Sequence, residues 1–147
     1  MLRARTAYYA LVGRMDALIG QILAALREND LEENTLVIYS SDHGEQLGEH
    51  GLWWKQTFYE ASAKVPLVVS WPGVLPEGIR CDRVVSSLDL SATMLDALNA
   101  PPLPHSHGRS LLPLLRSPDA AWEDVAISEC CADEGCYHRM VRRGNWK

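Results

Sequence analysis

Residues Thr35 to Ser40 read Thr-Leu-Val-Ile-Tyr-Ser, and Ser41, Asp42, His43 and Gly44 follow at once. A nearly unbroken apolar, β-branched run of this length fits a strand buried on both faces, as in a parallel sheet covered by helices. A carboxylate, an imidazole and a turn-permitting glycine thus stand just past the strand's carboxyl end. Ligands of open α/β sheets bind at that edge. Asp42 offers a hard oxygen and His43 a nitrogen, two ligands for a divalent cation. Gly44 is free to take φ > 0 and turn the chain away. Lys55 lies twelve residues beyond His43, a mobile cation able to reach an anion held by such a metal. Together these residues point to chemistry on an oxyanion ester.

The flanking segments complete an α/β pattern. Leu11, Met15, Leu18, Ile22 and Leu26 recur at helical spacing, so residues 6–28 read as an amphipathic helix with Thr6 as N-cap and Asn29-Asp30 as stop. A helix feeding an apolar strand is half of a βαβ crossover. Residues 57–63 allow one or two helical turns capped by Thr57. Val65 to Trp71 reads as a second buried strand, with Pro66 tolerable near its start. Leu88 to Leu98 reads as another helix, and Pro101, Pro102 and Pro104 forbid its continuation. Asp124–Glu129 and Tyr137–Arg143 read as strands pairing antiparallel across a Cys131–Cys136 loop. The expected architecture is a mixed or parallel sheet flanked by helices with a small C-terminal β element. Residues 1–100 form the core that carries the metal loop; residues 101–147 form a proline-rich linker and the β element.

Charge and cysteine usage exclude several classes. A formal net charge of −5 with no basic stripe argues against nucleic acid. No uninterrupted apolar run approaches the roughly 20 residues that span a bilayer. The basic start lacks an apolar signal-peptide core, so a cytoplasmic location is expected, or a periplasmic one if a signal lies upstream. Four cysteines are too few for a disulfide scaffold. Cys130, Cys131 and Cys136 lack zinc spacing, and His105 and His107 sit in the linker without carboxylate or thiol partners. Glu45 and Glu49 read as solvated charges. His50 is a candidate proton donor to a leaving oxygen. Trp53 and Trp54 are loop anchors, or a cation–π wall if the substrate carries a quaternary ammonium.

Ser41-Asp42-His43-Gly44, then Leu47-Gly48-Glu49-His50-Gly51-Leu52-Trp53 and Lys55, resembles the second metal-and-sulfate motif of the formylglycine-dependent type I sulfatases of the alkaline phosphatase superfamily. Thr57-Phe58-Tyr59-Glu60-Ala61-Ser62 and Lys64-Val65-Pro66-Leu67-Val68-Val69 continue the likeness, which is greatest to the choline-sulfatase-like branch. The resemblance implies Asp42 and His43 as metal ligands, Lys55 as the sulfate-binding catalytic cation, calcium as the metal with magnesium or manganese as alternatives, and a small sulfate ester such as choline sulfate as substrate. It implies a formylglycine nucleophile made from cysteine in a Cys-x-Pro-x-Arg context. None of Cys81, Cys130, Cys131 and Cys136 has that context, so the nucleophile and the family's early aspartate pair are expected upstream. The chain is then read as the C-terminal part of a catalytic domain, inactive alone, with Gly144 to Lys147 stopping inside a strand. Exposed strand edges make self-association a further expectation. Two rivals stand beside this reading: a phosphonate or phosphate ester hydrolase of the same superfamily, and a non-catalytic binding domain.

Overall fold

The computed structural model describes residues 1–133 and 136–147, and side chains outside the span 131–136. The chain is α/β and falls into two compact units, Met1–Val74 and Leu75–Lys147.

The first unit opens with helix α1, Leu2–Glu28. It begins earlier than the Thr6 cap foretold, at Met1. The Thr6 hydroxyl instead donates to the Leu2 carbonyl at 3.0 Å, the back-bonding habit of a hydroxyl inside a helix. The stop at Asn29-Asp30 has a clear physical form. Asp30 adopts φ +55°, its N–H donates to Arg27 and that of Leu31 donates to Leu26. This pair of bonds around a left-handed residue is a Schellman closure. By length and composition α1 is also long and apolar enough to cross a membrane. Arg14 and Asp16 near its middle are costly inside hydrocarbon, and they interrupt the apolar run.

A 3₁₀ turn, Glu32–Asn34, leads into β1, Val37–Ser40. The remaining elements are β2 Gln46–Leu47, a second 3₁₀ turn Glu49–Gly51, β3 Trp53–Trp54, α2 Glu60–Ala63 and β4 Leu67–Ser70. The pairing of β1 is not the parallel one, though a mixed sheet accommodates it. β1 pairs with β4 antiparallel, with Val37 opposite Ser70 and Ser40 opposite Leu67. Nor is this pair buried on both faces. Tyr39 and Val68, opposite one another, are 42% and 60% exposed, while Leu67 and Val69 are half-buried. The apolar run reported strand propensity; the partner's direction came from the chain reversal between the two strands, which no local pattern encodes.

The second unit contains α3 Ser87–Ala97, α4 Leu112–Arg116, β5 Val125–Asp133 and β6 Cys136–Arg143. Ser86 and Asp89 form a capping box at the start of α3. The Asp89 carboxylate, 3% exposed, accepts from the Ser86 N–H and the Arg109 N–H, each at 2.8 Å. Thr93, fully buried, accepts from the Leu111 N–H at 2.9 Å. These polar bridges bring Leu111, Leu112 and Leu114 into the core beside α3. β5 and β6 pair antiparallel as expected, but run further, into the segment read as a loop. β6 ends at Arg143, where Gly144 turns at φ +52° and Trp146 bridges back to Arg143, so the last residues are a turn rather than a continuing strand.

Asp124 ties the hairpin to the preceding segment. It accepts from the Val84 N–H at 3.0 Å and pairs with Arg83 at 2.8 Å. Those two contacts, the backbone bond foremost, hold its carboxyl below the ordinary range. A carboxyl depressed by folding contributes stability above its unfolded value, about 3.9, and loses it as pH falls through the folded value. Asp124→Asn is therefore expected to lower the melting temperature at pH 7, with the gap to the parent chain closing as pH falls below the unfolded value toward the lower folded one. Melting curves across that range check this.

Candidate active site

The strand-end loop begins where β1 stops. The Ser40 hydroxyl donates to the Pro66 carbonyl at 2.9 Å, tying the end of β1 to the chain entering β4. Ser41 donates to the His43 carbonyl at 2.8 Å, bending the loop so that Asp42 and His43 meet. Asp42 Oδ2 stands 3.3 Å from His43 Nε2. His43 Nδ1 lies 2.7 Å from the Gly44 carbonyl oxygen. A carbonyl only accepts, so Nδ1 carries the proton and the neutral ring presents a lone pair at Nε2. Two acceptors thus face each other, an arrangement that a cation stabilises.

Lys55 supplies one. Its ammonium donates to His43 Nε2 at 2.6 Å. The lysine reaches back because residues 46–54 form a hairpin, with Gln46 opposite Trp54 and Leu47 opposite Trp53. Its tip relies on left-handed backbone at Gly48, φ +99°, His50, φ +55°, and Gly51, φ +72°. Trp54, immediately before the lysine, is also left-handed at φ +71°, an uncommon state for a bulky residue and one concentrated at functional sites.

Desolvation pushes the Asp42 carboxyl up, but the His43 imidazole in its charged form, the backbone N–H groups of His43 and Asp42, and the Lys55 charge outweigh it. The net effect is a carboxyl below its ordinary range, held ready as an anion. Asp42 is 81% exposed and His43 33% exposed, so both donors are open to an incoming ion. Their chemistry fits part of a divalent-cation shell: one hard oxygen, and one imidazole whose far nitrogen is fixed by a carbonyl. Among the described residues no third His, Cys, Asp or Glu joins them.

His50 lies elsewhere in the loop. Its ring stacks on Tyr59, with centroids 4.0 Å apart and planes 18° from parallel. Trp53 and Trp54 are 42% and 72% exposed. Glu49, read as solvated, instead accepts from the Leu47 N–H at 2.5 Å and faces Arg5 at 3.4 Å. Thr57, read as a cap, takes the Gln46 amide at 2.6 Å, and the cap position of α2 falls to Tyr59. His105 and His107 are exposed and belong to no cluster of metal ligands among the described residues. Cys130 is half-buried with a free thiol, and the Cys131 and Cys136 side chains that a zinc site there would also need lie outside those described.

Sequence reading missed Ser62 and Gln46, both buried under the loop. Neither belongs to a spacing pattern that announces a role, since their partners are backbone or hydroxyl groups set by the fold.

Comparison with known proteins gives a consistent result. A family model described as Sulfatase matches residues 2–100. Arylsulfatase K of Gallus gallus is 37% identical over 155 residues, covering 99% of this chain and 28% of that protein. Choline-sulfatase of Rhizobium meliloti (strain 1021) is 34% identical over 150 residues, again covering 99% and 28%. The chain spans little more than a quarter of the length of these relatives. Among solved structures, a phosphonate monoester hydrolase of Agrobacterium radiobacter superposes with a TM-score of 0.87 at 29% identity, covering 95% of this chain and 31% of that one.

Proposed function

The chain belongs to the sulfatase family, and on that premise we propose that it contributes the metal-ligand pair and the sulfate-holding lysine to the active site of a sulfuric ester hydrolase. The observation that carries this reading is the placement of the Asp42 carboxylate at 3.3 Å and the Lys55 ammonium at 2.6 Å from His43 Nε2. In this reading Asp42 and His43 hold one divalent cation, calcium by family likeness, with magnesium or manganese as alternatives. Two ligands fall short of a shell of about six, so other donors complete it. The cation, when bound, supplies positive charge to the sulfate oxygens.

The residues present then have separable tasks. The Gly44 carbonyl fixes the His43 tautomer and so keeps Nε2 free as a donor. Lys55 places a compact charge where negative charge grows as the ester oxygen departs. The hairpin delivers that charge on a short arm between two tryptophans' backbone and α2. His50 keeps its candidate role as proton donor to the leaving oxygen: its ring stacks face to face on Tyr59, which holds the ring plane while leaving proton transfer to the nitrogens at its edge. The nucleophile is assigned to a formylglycine outside these residues, because no cysteine of this chain has the required sequence context.

A phosphonate ester hydrolase is the second reading, favoured by the high structural similarity noted above. Both readings use the same cation and lysine, so the tetrahedral group decides between them. The chain, assembled with a formylglycine-bearing N-terminal segment, is expected to turn over an aryl or choline sulfate faster than phenyl phosphonate or aryl phosphate. Steady-state kinetics on the three ester classes test this, and a reversed order overturns the sulfatase reading in favour of the second.

A further inference from the structure

We propose that Ser62 is the positioning residue that sets where Lys55 stands relative to Asp42 and His43. The inference rests on the site described under the proposed function and adds a residue to it. Ser62 is 3% exposed and grips two strands of the site at once. Its carbonyl accepts from the Gly44 N–H at 2.7 Å, one residue past His43. Its hydroxyl donates to the Lys55 carbonyl in a short bond. A Cβ at Gly44 would come within 2.0 Å of the Ala61 carbonyl oxygen, so the metal-ligand loop and α2 touch backbone to backbone.

Lys55 also reaches the metal-ligand loop through its ammonium on His43; among the described hydrogen bonds, the Ser62 hydroxyl is what ties the lysine's backbone to the segment seated on Gly44. Along the chain, His43 and Lys55 are separated by the hairpin with its left-handed residues and exposed tip. The Lys55 carbonyl also accepts from the Thr57 N–H at 2.8 Å, but that bond closes a local turn and does not reach the metal-ligand loop. The contact at Gly44 is backbone only, so Ser62→Ala keeps it and removes just the hydroxyl arm to Lys55. The variant therefore separates the lysine's position from the integrity of the ligand pair.

The chain has three lysines, Lys55, Lys64 and Lys147, which allows a direct test. Reductive methylation with ¹³C labels each lysine while keeping its charge. Manganese(II) is then titrated into the methylated, ¹⁵N-labelled chain, and paramagnetic broadening is read at the backbone amides of Asp42 and His43 and at the lysine methyls, with Lys64 as the reference within the same unit. In the parent chain, selective broadening at Asp42, His43 and Lys55 is expected. In Ser62→Ala, broadening at Asp42 and His43 should persist while that at Lys55 falls several-fold. Ser62→Thr, which keeps a hydroxyl, should restore it. In the assembled enzyme the Ala variant should lose about tenfold or more in kcat, on the scale expected for displacement of a reacting group by a fraction of an ångström, with little change in KM. If Ser62→Ala loses its far-ultraviolet circular dichroism, Ser62→Cys is read in its place, and the same selective loss at Lys55 is expected. Unchanged broadening at Lys55 in a folded hydroxyl-free variant overturns this proposal and leaves the site reading intact. Absence of selective broadening at Asp42 and His43 in the parent chain overturns the site reading and this proposal with it.

Discussion

Asp42→Ala is expected to abolish the metal dependence of catalysis while leaving the fold unchanged. The side chain is 81% exposed, so its removal opens no cavity and breaks no core packing. Its neighbours depend on it little: it accepts a long bond from the exposed Ser41 hydroxyl at 3.4 Å, which also donates to the His43 carbonyl, and it faces His43 Nε2. What is lost is the anionic half of the ligand pair. A metal ion acting as a Lewis acid supplies several kcal/mol of charge stabilisation. Loss of that contribution corresponds to about 10³-fold in rate. The measurement is kcat/KM of the chain assembled with a formylglycine-bearing N-terminal segment, followed across a calcium or manganese titration. The parent should rise to saturation and Asp42→Ala should stay flat near the metal-free rate. A variant that still responds to metal with the parent's amplitude removes Asp42 from the ligand set. Circular dichroism of the two proteins should coincide.

Lys55→Ala is expected to reduce turnover by about 10²-fold to 10³-fold, the scale found when one preorganised charge stabiliser is removed. The expected signature separates it from Asp42→Ala. Metal response should survive, because the ligand pair is intact. With Lys55 gone, His43 Nε2 also loses the ammonium now donating to it at 2.6 Å, so the cation should bind no more weakly than in the parent. Lys55→Arg should recover only part of the rate. A guanidinium is a planar fork rather than a compact point charge, and the short span to His43 leaves little room to re-aim it. Kinetics of the three proteins with sulfate esters at saturating metal decide the matter. Equal kcat in Lys55→Ala and parent would show that this lysine has no part in the chemistry.

The amino-acid sequence by itself determined the parts that depend on local chemistry. Helix α1 was legible because its apolar residues repeat at helical spacing, and its end at Asn29-Asp30 because short polar side chains tolerate left-handed backbone. The C-terminal hairpin was legible from two short strand-like segments, 124–129 and 137–143, flanking a loop. The place of Asp42-His43-Gly44 just past a strand was legible because an apolar run followed by ligand types and a glycine is a sparse combination. Capping by Thr6 and Thr57 was misread because hydroxyls near a helix start compete among several acceptors. Thr6 turned inward to Leu2, and Thr57 was taken by Gln46.

Only the tertiary structure decided the rest. The antiparallel partnership of β1 with β4 depends on a chain reversal through the whole loop and α2, a long-range event without a local code. The approach of Lys55 to His43 required left-handed backbone at Gly48, His50, Gly51 and Trp54 and the seating of α2 against Gly44. Ser62 became visible only when its carbonyl and its hydroxyl were found on two different backbones. A single serine between two alanines has no periodicity, charge or spacing to mark it; its importance comes from what folding places on either side.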